Sequence, residues 1–302
     1  MKFDIIGKRY WWFALSLIVL IPGLISMALQ GFNLGIDFTG GTILDLKFAS
    51  PVTVAQVREV LVDHRLENSV IQLVSTDQAE TSNNLFIRTH VLSNDESQIL
   101  FTDMEKRLGA FEVLRSEKVG AVMGSELTQQ ALLNLAVVCA LLIAYISYRF
   151  EYKIAVSAIL AILHDVLIVL GIFSLFHIEM DSSFVAAILT VIGYSMNEAI
   201  VVFDRIRENL KTHRKTESFQ DLVNRSIGQT FTRTLYTLLT VLFACGSLHF
   251  FGGESTKNFS LAMLIGFLSG AYSAIFNASP IWVTWKEYDE RKRAVLKTGG
   301  SK

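Results

Sequence analysis

Three charged side chains lie within stretches that are otherwise apolar, and they are where this 302-residue chain could do chemistry. Asp165 follows His164 near the middle of one stretch, Glu198 follows Asn197 about two-thirds of the way along the next, and Arg233 lies just inside a third. In a bilayer each such charge costs roughly 2.5–3.5 kcal/mol on translocon scales, a cost that an apolar residue would remove. Charges kept at that cost are candidates for binding and releasing an ion or a proton. Glu198 is too deep for a short carboxylate to reach water easily, whereas Arg233 can snorkel to the headgroups. A helix bundle can bring Glu198 and Arg233 together. Pairing would keep Glu198 ionised, and breaking the pair would favour protonation.

Other chemistries fit less well. His164 and Asp165 have no second His or Cys at helical spacing, and zinc takes three or four protein ligands, so neither a metal nor a cofactor is expected. The plainer reading of that pair is a polar couple hydrogen-bonded to neighbouring helices. An intramembrane hydrolase would need a nucleophile with its base, or paired aspartates at one depth, and Asp165 and Glu198 lack flanking motifs of that kind.

The elements that must position these residues are membrane spans. The chain is 51% hydrophobic and only 18% charged, below the roughly one-quarter charged residues of soluble domains. Six stretches reach the roughly 20 residues a span needs: 11–29, 129–148, 154–176, 183–203, 231–251 and 259–283. The first is too long for a signal-peptide core and lacks a small-residue cleavage site, so it reads as a retained anchor. A net charge of -1 gives no sign of a nucleic-acid partner. Cys139 and Cys245 both lie in apolar stretches and form no disulfide framework. Gly266 and Gly270 form a G-x-x-x-G, a spacing that permits close helix approach.

Orientation follows from the basic residues. Lys2, Lys8 and Arg9 precede span 1, Arg149 and Lys153 follow span 2, seven more run from Arg205 to Arg233, and six from Lys286 to Lys302. The short loops on the other side carry only Lys257, so both termini are expected in the cytoplasm. The expected organisation is residues 1–29 as cytoplasmic N-terminus and span 1, 30–127 as an extracytoplasmic domain, 128–283 as spans 2–6, and 284–302 as a cytoplasmic tail. The charged stretch 204–230, with apolar residues interleaved, is expected as an amphipathic helix lying at the cytoplasmic interface.

Within the outside domain, strands are expected over 42–49, 70–75, 85–91 and 111–117, with helices over 53–64 and 95–108 and a turn at Ser82-Asn83-Asn84. That order, βαββαβ, is the split β-α-β of an α+β ferredoxin-like domain. Asp37, Gly40 and Gly41 are expected to act structurally where span 1 hands over to this domain, since glycine permits φ > 0.

Several strings in order resemble the SecF family over nearly the whole chain. They are Gly35-Ile36-Asp37-Phe38-Thr39-Gly40-Gly41, Val119-Gly120 with Gly124-Ser125-Glu126-Leu127, Ala161-Ile162-Leu163-His164-Asp165, Gly193-Tyr194-Ser195-Met196-Asn197-Glu198, Phe203-Asp204-Arg205-Ile206-Arg207-Glu208-Asn209, Asn224-Arg225-Ser226-Ile227, and Gln229 through Thr234. The resemblance implies an RND-like bundle of six transmembrane helices in the bacterial plasma (inner) membrane. It implies an accessory subunit, not an enzyme, that works with SecD beside the SecYEG channel, with YajC as a further associate. Such a subunit draws a translocating preprotein outward on the proton or sodium motive force. It also implies ion coupling at Glu198 and Arg233, with Asn197 and Asp165 as further candidates. The usual family residue at position 198 is Asp, one methylene shorter. Half of an RND-type exporter of small molecules or lipids shares this chemistry, but it would need a far larger outside region than about 100 residues.

Overall fold

The computed structural model describes residues 4–74, 81–213 and 217–299. In chain order the elements are α1 (Arg9–Leu29), α2 (Ile36–Thr39), β1 (Gly41–Thr53), α3 (Val54–Asp63), β2 (Val70–Val74), β3 (Thr81–Thr89), α4 (Asn94–Leu108), β4 (Phe111–Val119) and α5 (Ala121–Arg149). There follow α6 (Tyr152–Leu175), α7 (Ser182–Lys211), α8 (Phe219–Phe251), α9 (Glu254–Ser273), a π-helical turn (Ala274–Ala278) and α10 (Ser279–Gly299). These form two compact units, Leu34–Leu133 and the remainder.

The smaller unit is an antiparallel sheet in the order β2-β3-β1-β4. Alternation in β1 turns Leu44, Leu46 and Phe48 onto a core shared with Leu85 and Ile87 of β3. Val57, Val60 and Leu61 give α3 an apolar stripe at i, i+3 and i+4, and Leu100 and Met104 do the same for α4. Both helices open with a capping box, Thr53 with Gln56 and Ser93 with Glu96, which satisfies otherwise orphaned N–H groups. This is the ferredoxin-like βαββαβ arrangement.

Two expectations for this unit need correction. Ser82-Asn83-Asn84 is not a turn but part of β3, where Ser82 pairs with Val52 and Asn84 with Lys47. Side-chain bonding makes these turn-forming residues compatible with a strand: Asn83 Nδ2 donates to the Phe48 carbonyl and the Asn84 N–H to Ser82 Oγ. Strand β2 ends at Val74 among the described residues, and Ser75 lies outside them.

The larger unit contains helices long and apolar enough to cross a membrane. Together with α5, whose first part belongs to the smaller unit, they number six among the described residues: α1, α5, α6, α7, α8 and the rod from α9 through the π turn into α10. The chain is a multi-pass membrane protein. Helices are the only open-ended way to satisfy every backbone polar group in hydrocarbon. Close approach comes from small residues. Gly23 of α1 faces Gly171 of α6 so closely that a methyl on either would lie under 3 Å from the other's Cα. Gly266 of α9 faces the Val191 side chain of α7, which a methyl would meet at under 3 Å, and Gly270 faces Ser195 at 3.2 Å.

The expected interfacial helix over 204–230 does not exist as one element. Asp204–Lys211 completes α7, and residues from Phe219 onward begin α8. Thirty residues of α7 span about 45 Å, more than the roughly 30 Å of hydrocarbon, so its charged end overhangs the span. Ile206, Leu222, Val223 and Ile227 are core residues, and Asn209 Nδ2 donates to Ser226 Oγ at 2.8 Å and Gln229 Oε1 at 2.9 Å. Ion pairs gather at this same end: Arg9 with Glu287 at 2.9 Å, Arg149 with Asp204 at 3.3 Å, and Lys153 with Asp289. Asn224 Oδ1 accepts from the N–H groups of Ile5 and Ile6. Of the basic residues named for orientation, Lys2, Arg214, Lys215 and Lys302 lie outside the described residues.

Gly41 adopts φ +146°, and a Cβ there would sit 2.6 Å from the Thr89 carbonyl oxygen. The conformation alone costs a non-glycine residue about 1–3 kcal/mol. Gly41→Val is therefore expected to lower the unfolding temperature and the accumulation of the chain in membranes. Gly120→Ala, whose methyl would meet nothing within 4 Å, should leave both unchanged.

Candidate ion-coupling site

A carboxylate buried in a helix bundle must find donors within the bundle, and Asp165 of α6 finds four. Its side chain is fully buried. Ser195 Oγ of α7 donates to Oδ2 at 2.5 Å, and Ser273 Oγ of α9 donates to the same oxygen at 2.6 Å. Ser269 Oγ of α9 donates to Oδ1 at 2.6 Å, and His164 Nδ1 lies 3.0 Å from Oδ1. Ser269 and Ser273 are one turn apart and so share a face of α9. Gly270 brings that face against Ser195, so the close seam between α7 and α9 assembles the donors.

Glu198 is 2% exposed and is held by α8 instead. Thr234 Oγ1 donates to Oε2 at 2.7 Å, and Thr237 Oγ1 lies 3.1 Å from Oε1 while also reaching the carbonyls of Arg233 and Thr234. The expected Glu198–Arg233 pair is not formed: among the described residues no ion pair joins the two. Consecutive helical residues point about 100° apart. Arg233 therefore points away from the direction in which Thr234 reaches Glu198, and its side chain is exposed. It lines a cavity of about 370 Å³ between α7 and α8 together with Asn197, Asp204, Arg205, Glu208 and Thr230.

The structure thus buries two of the predicted residues, Asp165 and Glu198, and places the other two, Asn197 and Arg233, on one open cavity between α7 and α8. Asp37 lies in the single turn α2. Gly40 and Gly41 both have positive φ, and Gly124, at the start of α5, would clash with the Phe38 carbonyl and the Gly40 N–H if it bore a side chain. Two of the resembling strings therefore meet in space. Sequence reasoning missed Ser195, Ser269, Ser273, Thr234 and Thr237. Their signal was available: hydroxyl residues at i, i+3 or i, i+4 inside apolar spans, on faces that can meet a carboxylate.

Residues 100–288 match the family described as "Protein export membrane protein SecD/SecF, C-terminal", and residues 25–52 match the "SecD/SecF GG Motif". The protein translocase subunit SecF of Acidaminococcus fermentans is 52% identical over 287 residues, covering 95% of this chain and 98% of that protein. The chain belongs to the SecF family.

Among relatives of the SecF family, the protein translocase subunit SecDF of Bacillus subtilis is 36% identical, covering 96% of this chain but 39% of that protein. The crystal structure of SecDF from Thermus thermophilus, described as a translocon-associated membrane protein, superposes with a TM-score of 0.85 at 36% identity. That match covers 95% of this chain and 39% of the SecDF chain.

Removing one donor from a buried charged acceptor costs roughly 1.5–3 kcal/mol. Ser273→Ala in this SecF-family chain should lower its thermal unfolding temperature in detergent accordingly. The same change made in an Asp165→Asn background should cost clearly less, because only groups in contact deviate from additivity. Two fully additive changes would show that the bond does not stabilise the bundle.

Proposed function

We propose that this SecF-family chain is an accessory subunit of the Sec translocase that converts an ion motive force into outward movement of a preprotein. It works with SecD at the SecYEG channel of the bacterial plasma membrane, where YajC is a further associate. Ion coupling resides in Asp165 and Glu198, with Asn197 and Arg233 on the open cavity between α7 and α8.

One observation carries this reading: among the described residues the side chains that hold the two buried carboxylates are hydroxyls, joined at Asp165 by the His164 ring, and none is an arginine or a lysine. A carboxylate paired with Arg resists protonation, because neutralising it strands a buried cation. Hydroxyls both donate and accept, so they rotate to serve either the ionised or the neutral acid. Such a cage tolerates a cycle of charge and neutralisation that a salt bridge would oppose. Partnership with SecD is supported by relatives in which a region like this one forms part of a longer single chain named SecDF.

Glu198→Gln keeps size and hydrogen bonding but cannot cycle a proton. Gradient-driven export from membrane vesicles is therefore expected to fall by roughly a hundredfold or more, the lower end of the roughly 10²–10⁴ of a lost acid–base group, while insertion and SecD binding persist. Glu198→Asp should retain much of the activity. Wild-type export by Glu198→Gln would remove this residue from the coupling role.

Both termini and the connection between α7 and α8 are placed in the cytoplasm, with residues 30–127 outside. The gathering of Arg9, Arg149, Lys153 and Arg225 at one end of the larger unit supports that placement. An impermeant thiol reagent applied from the outer side should label Gln98→Cys, on the exposed face of α4, and spare Thr212→Cys. The reverse pattern would invert the topology.

A further inference from the structure

The turn after α3 carries an arginine where the backbone suits glycine. The Leu66 N–H donates to the Leu61 carbonyl at 2.8 Å and the Arg65 N–H to the Val62 carbonyl at 3.0 Å, the pair of bonds that makes a Schellman ending. Its left-handed position is Arg65, at φ +60°. Glycine takes that conformation without penalty, whereas a residue with a Cβ is strained in it. Among the described residues the Arg65 side chain has no hydrogen-bond or ion-pair partner to repay the strain, and it is exposed. It lines instead an open cavity of about 390 Å³ in the smaller unit, between the loop 65–69, the end of β3 and the residues that lead into β1. Asn68 and His90 add exposed polar groups, Leu34 and Val70 exposed apolar ones, and no carboxylate belongs to the lining among the described residues. Arg88 lines it too, and donates to the Leu34 carbonyl at 3.2 Å.

The place of this cavity in the fold indicates what can reach it. It lies at the end of the sheet where β1 begins and β4 ends, for Gly41 pairs with Val119, Thr42 with Thr89 and Val70 with Arg88. Both connections to the membrane spans leave from that end. Gly40, in the cavity wall, packs against Gly124 of α5, where a Cβ would meet the Gly40 nitrogen at 2.9 Å. The stretch of α5 long enough to span begins at residue 129, about 8 Å further along the helix axis. A bilayer carries roughly 5–8 Å of headgroups on each side of its hydrocarbon. The cavity wall therefore stands at the layer of lipid headgroups.

We infer that this cavity holds the phosphate of an anionic phospholipid, with Arg65 as its anion-binding side chain. A guanidinium offers paired N–H donors in the geometry of a phosphate and stays charged at every relevant pH. The Asn68 amide and the His90 ring supply further hydrogen bonds, and Leu34 and Val70 give the glycerol backbone an apolar wall. A choline headgroup would set its own cation against Arg65 and bind less well. An acidic stretch of polypeptide carries the same charge as the lipid, but the depth of the cavity favours the lipid. The residue that strains the turn is thus the one the ligand needs.

The test uses the full chain in neutral detergent, titrated with phosphatidylglycerol or phosphatidylcholine, with bound lipids counted by native mass spectrometry. The wild type is expected to hold one phosphatidylglycerol that Arg65→Gly and Arg65→Asn bind at least about tenfold more weakly, the size of a lost charge-assisted bond. Glycine and asparagine both accept the left-handed conformation, so the two variants should unfold without lipid at or above the wild-type temperature. Arg65→Lys keeps the charge and should keep the preference for phosphatidylglycerol over phosphatidylcholine. Equal phosphatidylglycerol binding by wild type and Arg65→Gly, or equal binding of the two lipids by wild type, would overturn the assignment. Millimolar inorganic phosphate and a hexaglutamate peptide should each leave the bound lipid in place. Displacement by phosphate would make this a site for free anions, displacement by the peptide a site for polypeptide, and either result would overturn the lipid.

Discussion

The interaction on which the larger unit depends is the solvation of Asp165 by its own helices. A carboxylate in the interior of a bilayer protein has no water to turn to, so the donors must come from neighbouring spans and approach to hydrogen-bond distance. Three hydroxyls meet that need, one from α7 and two from α9. Their convergence requires backbones closer than side chains of ordinary size allow, which Gly266 and Gly270 provide. The small residues of the seam and the polar residues of the site are therefore one device.

Helix α7 carries both sites, with Ser195 on Asp165 and Glu198 on the threonines of α8, one turn apart. Rigid elements transmit small displacements when the packing around them has two discrete arrangements. On the proposed reading, a change of charge at either carboxylate alters which neighbour holds α7 most strongly. The network of ion pairs and asparagine contacts around Arg9, Arg149, Asn209 and Asn224 ties α1, α5, α7, α8 and α10 together at one end.

Much of this was legible in the sequence, and the rest was hidden for identifiable reasons. The six spans, the βαββαβ order and the position of the buried carboxylates follow from hydropathy and short-range periodicity, which reflect burial directly. Helix ends did not: α5 begins eight residues before the apolar stretch, since polar residues such as Glu126 extend a helix without being apolar. The strand containing Ser82-Asn83-Asn84 was hidden because its stabilising contacts are long-range, to β1. The pairing of Glu198 with Thr234 and not Arg233 depends on helical rotation between adjacent residues, which span-level reasoning does not resolve. Donor hydroxyls such as Ser269 were hidden by their commonness. A serine in a span becomes informative only when a carboxylate is known to face it.

The π turn at Ala274–Ala278 interrupts the last membrane rod directly after Ser273. A π turn takes one residue more per turn than an α-helix and shifts the residues beyond it by about 100° in angular phase. The two halves of this rod accordingly keep separate registers. The first half carries the small-residue seam and the hydroxyls that serve α7 and Asp165. The turn itself points Asn277 at Ser16 of α1, and the second half buries Trp282 and sends Glu287 to Arg9. A single continuous helix would have had to satisfy α7 and α1 with one stripe. The phase slip lets it address two sets of neighbours with two stripes, so that one span belongs at once to the polar centre of the bundle and to the anchoring of its first helix.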